Sequence, residues 1–330
     1  MIYGNLPKDI TRLWSEHRSE TEDRICGWIK DIKENIGFIS RARREFYKSK
    51  PLKVYINVTN AKKRGSAVFS LRFKGQEVAL IVVNKNLDVQ LRINEIHSEL
   101  NSQYFGWKGK PFRAKWDSQQ ARRFRVFLRE ISEGKRMVKL HSPEHEVESH
   151  LLGEMKKKLK SKKFGGKFSG IQPVMFRGCP FQVPTPISGN TGIPYISKRG
   201  GNMDIVARRR VKGNKIRISD WELKKPGISG SDISKAMKQV IIYACTLRMM
   251  LRSRCAEDWY KLFGFTKGVP RRLEIEAVVA LSSRDRNSYE RQIKKSSLDT
   301  PLSIDGDLII PCVAFYDDKY DVVHFEETYQ

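Results

Sequence analysis

The sequence predicts an α/β fold, a mixed sheet flanked by helices, behind a separate basic α+β domain at the N-terminus. Three observations lead there. Short runs of alternating, β-branched-rich residues at 54–58, 67–73 and 78–83 mark a first group of strands. A second group beyond residue 200 is interleaved with long helical patterns, as in a sheet covered by helices. The chain has 330 residues, more than one ordinary core needs. A Gly, Pro and His stretch at 134–145 separates the two groups, so the division expected is residues 1–138 and residues 139–330.

In the first part, Val54–Val58, Ala67–Phe73 and Val78–Val83 read as strands, with turns at Asn60–Gly65 and Asn84–Asn86. Residues 88–94 add a strand and 95–103 a helix. Residues 118–131 carry Phe124, Val126, Leu128 and Ile131 at helical spacing, with Arg122, Arg123, Arg125 and Arg129 around them. Trp107, Phe112 and Trp116 lie close by in sequence. A basic helix beside a small sheet suits a nucleic-acid docking surface, with Arg122, Arg123 and Arg125 as the residues to meet phosphates; the plainer reading is a core helix with solvated arginines.

Composition narrows the function classes. Hydrophobic residues make up 39 % of the chain, enough for packed cores. No apolar run approaches the length of a membrane span, and the N-terminus lacks the basic-then-apolar pattern of a secretory signal, so a cytoplasmic protein without a membrane partner is expected. Five cysteines, at 26, 179, 245, 255 and 312, are scattered and never form a C-x-x-C pair, which predicts buried thiols rather than a disulfide framework or a zinc site. The net charge is +26, from 63 Lys+Arg against 37 Asp+Glu. Such a surplus repels itself in the folded state and calls for a polyanionic partner, with nucleic acid preferred.

A helix is predicted from Pro143 to Leu159. Ser142 can cap it, Pro143 suits its first position, and Glu144 and Glu146 complement its positive end. Its apolar stripe is Val147, Leu151, Met155 and Leu159. The run Lys156–Lys163, including Lys156, Lys157 and Lys158, reads with the glycines after it as a basic loop, able to follow a phosphate backbone or simply to solvate a helix end. His141 and His145 have no ligand partners at metal spacing.

Beyond it, Cys179–Pro186 reads as an edge strand because of its prolines. Residues 202–210 form a strand, Gly213-Asn214 a turn, and Lys215–Lys224 a strand running back; a long helix follows over 231–252, capped by Ser231 or Asp232. Strand alternation puts Glu222 and Lys224 on one face, and hairpin pairing brings Asp204 towards Glu222. Two converging carboxylates repel, and the usual resolution is a hard divalent cation. Magnesium takes few protein oxygens and keeps waters for a phosphate or nucleophile. Lys224 can orient the attacking water or stabilise charge at a phosphorane-like transition state. The chemistry implied is metal-assisted phosphodiester hydrolysis. Taken singly, Glu222 and Lys224 also read as an ordinary ion pair, and Gln239 and Tyr243 as a helix face lying on the sheet.

The ordered set of acidic helix, strand Asp204, Glu222-Leu223-Lys224 and a helix bearing Gln239-x-x-x-Tyr243 resembles the PD-(D/E)xK nuclease superfamily, in its RecB-like branch. Here Met203 precedes the leading acid where that family often has proline. The resemblance covers about residues 143–250, with later sheet elements at 273–281, 308–315 and 320–325 and a helix near 288–295. It implies a restriction-endonuclease-like core in which Asp204, Glu222 and one acid of the first helix hold Mg²⁺, with Mn²⁺ able to substitute. Glu148 is the choice for that acid, with Glu144 and Glu146 as rivals. It further implies that Lys224 handles the water and that Gln239 and Tyr243 face the site. The expected activity is a deoxyribonuclease, an endonuclease of restriction, phage defence or DNA repair acting on double-stranded DNA. A catalytically silent nucleic-acid-binding module is the alternative. A blunt double-strand cut requires two active sites, which a homodimer supplies.

Overall fold

The computed structural model describes residues 3, 5–46, 49–60, 62–63, 65–93, 112–136, 143–160, 170–176, 178–189, 201–293 and 301–327, without the side chains of 60, 62–63, 157–160, 214 and 293. The chain is mixed α/β and divides into two compact units. The smaller comprises Gly27–Glu146 and Phe176–Phe181; the larger comprises Met1–Cys26, Val147–Met175 and Gln182–Gln330.

Three helices open the chain: α1 (Leu6–Glu16), α2 (Arg18–Glu34) and α3 (Ile36–Arg44). The strands of the smaller unit follow as β1 (Lys53–Ile56), β2 (Lys62–Lys63), β3 (Ser66–Phe73), β4 (Gln76–Asn84), β5 (Val89–Ile93) and β6 (Phe112–Lys115). They form an antiparallel sheet in the order β1-β3-β4-β5-β6, with β2 on β3. Its Phe69, Leu71, Ile81 and Leu91 are buried on one face, as period-2 alternation requires. Helix α4 (Gln119–Ser132) buries Phe124, Phe127, Leu128 and Ile131, and Ser118 caps it by accepting the Ala121 amide at 3.3 Å. Arg122 and Arg123 are exposed. Arg125 differs from the expectation of a phosphate ligand: its guanidinium lies 4.0 Å from the Trp116 ring centre and donates to the Trp116 carbonyl at 2.7 Å, so its head is engaged locally. The helix expected at 95–103 and Trp107 lie outside the described residues.

Helix α5 (Pro143–Lys160) starts at the proline, whose fixed φ and missing amide hydrogen suit a first turn. It carries Lys156–Lys158 within the helix rather than in a loop. Val147, Leu151, Leu152 and Met155 are buried along it.

The larger unit is built on a mixed sheet of β7 (Ile171–Pro173), β12 (Ile205–Arg210), β13 (Ile216–Leu223), β14 (Glu274–Ser282), β15 (Leu302–Ile304), β16 (Asp307–Tyr316) and β17 (Val322–Glu327), in the order β15-β16-β14-β13-β12-β7 with β17 also on β16. Between β7 and β12 lie the short strands β8 (Met175–Phe176), β9 (Cys179–Pro180), β10 (Val183–Thr185) and β11 (Gly201–Met203). The pairs β13–β14 and β14–β16 are parallel, and the other pairs are antiparallel. The β12–β13 connection turns through Gly213 at φ +75°, a conformation glycine adopts without cost. Helix α6 (Gly230–Met250) lies on β13, β14 and β16. Its cap is Ser229, two residues before Ser231 and three before Asp232, accepting the Asp232 amide at 3.2 Å. Helices α7 (Ala256–Leu262) and α8 (Arg286–Ile293) complete the unit.

Two features depart from the sequence reading. The N-terminal 26 residues belong to the larger unit, so the units are not the contiguous stretches 1–138 and 139–330. Helix α1 buries Ile10 and Trp14 and packs on α6, and the Tyr3 hydroxyl donates to the Ser234 carbonyl at 3.3 Å. In addition, Cys26 and Cys255 form a disulfide, whereas buried free thiols were expected; Cys179, Cys245 and Cys312 are free and buried. The pairing spans 229 residues and needs Cys26 of α2 to reach the start of α7, which no local spacing reveals. No helix among the described residues is long and apolar enough to cross a membrane.

Candidate active site

The hairpin β12–β13 pairs Ile205 with Trp221, Val206 with Asp220 and Ala207 with Ser219. At Asp204 the chain bends: residues before it leave β13 and pair with β10, Met203 opposite Val183. The Asp204 side chain fills that divergence, its Oδ2 accepting the Leu223 amide at 3.2 Å. Asp204 thus stands beside the strand that presents Glu222.

Glu222 is 3 % exposed. Its Oε1 accepts from Lys224 Nζ at 2.8 Å, so both E-x-K side chains lie on one face as period 2 dictates. Lys224 is pinned twice through its backbone: its amide continues the ladder to Ala280 at 3.0 Å, and its carbonyl accepts the Tyr316 hydroxyl at 2.5 Å. Beyond it, both carboxylate oxygens of Asp285 accept the Gly227 amide at 3.1 Å, holding the loop that leaves β13. Burial raises the pKa of Asp285, against the Gly227 and Ile228 amides that favour its charge. The acids thus lie where the parallel strands β13 and β14 end, the edge at which α/β sheets place their ligands.

One residue of this cluster escaped the sequence reading. Asp220 shares the Glu222–Lys224 face, two residues earlier, and is fully buried. Its register neighbours are Val206 and Ala277, neither of which offers a donor. Burial first, then the nearby charges of Glu222 and Asp204, push its pKa well above the usual carboxylate range, with the Trp221 amide acting the other way. The alternation that selected Glu222 and Lys224 also marks Asp220; what the sequence lacks is its burial.

Gln239 and Tyr243 stand one turn apart on α6 and share the face towards these acids. Tyr243 is 3 % exposed, and burial, with the charges of Glu222, Asp220 and Asp204, raises its hydroxyl to about 12. Its oxygen accepts the Gly189 amide at 3.4 Å. Gly189 and Gly201 press against this pair so closely that a Cβ at either would collide with Gln239 or the Tyr243 hydroxyl. Those glycines allow the segment around β11 to lie on α6.

Of the three helix acids, Glu148 is 1 % exposed beside Leu151 and Leu152, while Glu146 forms an ion pair with Lys74 at 3.2 Å and Glu144 is half-buried. Burial therefore separates Glu148 from its rivals. Of the candidate phosphate-binding lysines, Lys156 is half-buried, and the side chains of Lys157 and Lys158 lie outside the described residues.

Comparison with family models, curated proteins and solved structures finds no match. Among the described residues, no three His, Cys, Asp or Glu side chains are gathered closely enough to hold a metal ion as they stand. The donors at the β13 edge are nonetheless all hard oxygens, suited to Mg²⁺ rather than to a softer ion. A carboxyl group buried there beside two other acids is what a cation would relieve.

Proposed function

We propose that this protein is a Mg²⁺-dependent nuclease of the PD-(D/E)xK type, hydrolysing phosphodiester bonds of double-stranded DNA as an endonuclease of restriction, phage defence or repair. The observation that carries the reading is the hydrogen bond from the Leu223 amide to Asp204, which sets a second acid beside Glu222 and Lys224 at the carboxyl end of β13. Support comes from Tyr243, whose hydroxyl lies within the field of the same acids.

In this reading Asp204 and Glu222 hold the ion, with Glu148 from α5 contributing. Mg²⁺, or Mn²⁺ in its place, would supply there the charge that polarises a phosphodiester and acidifies a water. Lys224, held at Glu222, would orient an attacking water and offset the negative charge developing on the phosphate. Tyr316 and Asp285 fix the strand end from which Lys224 projects. Gln239 and Tyr243 hold the covering segment in place. Exposed Arg122 and Arg123 and the lysines of α5 supply sequence-independent affinity for the phosphate backbone. A homodimer would bring two such sites to the two strands.

Incubation with supercoiled, linear and single-stranded DNA and with RNA, with Mg²⁺ or with chelator, tests this. Mg²⁺-dependent nicking or linearisation is expected. Salt-sensitive binding that chelator leaves unchanged, with no cleavage of any substrate, identifies instead a nucleic-acid-binding module.

A further inference from the structure

The proposed chemistry leaves Asp220 idle, and its placement is costly. It is fully buried, and no hydrogen bond of ordinary geometry reaches either of its oxygens. A buried carboxyl without donors destabilises a fold in either protonation state, whereas an apolar side chain of similar size, flanked like this one by Val206 and Ala277, would not. Other buried acids of the larger unit do have donors: Glu276 receives Arg209 and Arg217, and Asp307 receives Arg248, Arg252 and the Leu273 amide. Asp220 is buried with both oxygens unmet, and it lies two residues before Glu222 on the same strand face, within the electrostatic reach of Asp204.

We infer that Asp220 is a third carboxylate of the cation pocket formed with Asp204 and Glu222, and that its unmet oxygens are held for a hard divalent ion. The inference rests on the nuclease reading, and it adds to the leading acid and the E-x-K pair a ligand from β13 itself.

Mn²⁺ binding to the full chain, measured by isothermal titration calorimetry and by the rise in melting temperature on adding Mn²⁺, tests it at one fixed pH. Asp220→Asn keeps the shape and removes the charge, and Asp220→Ser serves if the amide is poorly accommodated. In both variants Mn²⁺ affinity is expected to fall by about 10-fold or more. Without metal, Asp220→Asn should melt no lower than the parent, because a costly buried acid has gone. Asp204→Asn is the reference. If it weakens Mn²⁺ binding while the Asp220 variants bind as the parent does, Asp220 is only a core residue and this inference alone fails. If the parent shows no Mn²⁺ binding at millimolar concentrations, both the inference and the nuclease reading beneath it fail.

Discussion

The Tyr316 hydroxyl donates to the carbonyl of Lys224 at 2.5 Å, so the end of β16 reaches across β14 to fix the last residue of the E-x-K run on β13. The lysine at the proposed site is thereby held by three strands, through Glu222 on its own, Ala280 on the next and Tyr316 beyond it. Replacing Tyr316 by Phe removes only that hydroxyl. Chemical denaturation should show a loss of about 1 kcal/mol, and cleavage should slow more than this modest loss of stability would suggest, with DNA affinity unchanged. Cleavage at the parent rate would show that Lys224 is held well enough without it.

Lys224→Ala is expected to reduce Mg²⁺-dependent nicking by about 100-fold or more while leaving DNA binding, measured by gel shift in Ca²⁺, nearly intact. The separation follows from the position of Lys224, which lies against Glu222 with 15 % of its side chain exposed and is poorly placed to contribute general electrostatic affinity. A variant that cuts as the parent does removes Lys224 from the chemistry.

Gly201 faces the Tyr243 hydroxyl at a distance that leaves no room for a methyl group. Gly201→Ala should therefore destabilise the protein by about 1–3 kcal/mol. Tyr243→Phe removes the clashing atom, so in a double-mutant cycle the pair should show a favourable coupling of about 0.5 kcal/mol or more. Simple additivity would mean that the segment around β11 does not rest on α6 as described.

Asp307 anchors the far end of α6. Burial alone would raise its pKa, but Arg252, the Leu273 amide and Arg248 outweigh burial and hold it below the ordinary 3.8. A carboxylate depressed on folding contributes stability that is complete above its unfolded value and is lost as pH falls through the folded one. Asp307→Asn should thus be less stable than the parent by about 3–5 kcal/mol near neutral pH, with the gap closing as pH is lowered below 3.8. A gap that stays constant down the acid range would assign the loss to packing rather than to the ion pairs.

The Cys26–Cys255 disulfide links residues 229 apart and ties α2 to the start of α7. Reduction, or Cys26→Ser, should lower stability by about 2–5 kcal/mol, read as a drop in melting temperature that reductant does not deepen in the variant. A parent indifferent to reductant would show that the two thiols are not paired in solution.

Much of the larger unit was legible in the sequence because its signals are local. Pro143 set the start of α5, the Gly213 turn set the β12–β13 hairpin, and strand alternation set Glu222 and Lys224 on a common face. The first three helices lie outside what the strand patterns of that region predict, and the burial of Ile10 and Trp14 depends on a partner helix more than two hundred residues away. For Arg125 the sequence left open a phosphate contact or a solvated arginine on a core helix; the fold sets its guanidinium against Trp116, nine residues earlier.

The sequence alone therefore determined the elements that carry the chemistry-bearing residues and the face each residue occupies, since period 2 and period 3.6 are properties of the backbone itself. Tertiary structure alone decided which acids are buried, that Asp220 lies within the electrostatic reach of Asp204 and Glu222, that Tyr316 holds Lys224, and that Cys26 meets Cys255. Burial and long-range pairing depend on how distant segments pack, and no repeat along the chain encodes them.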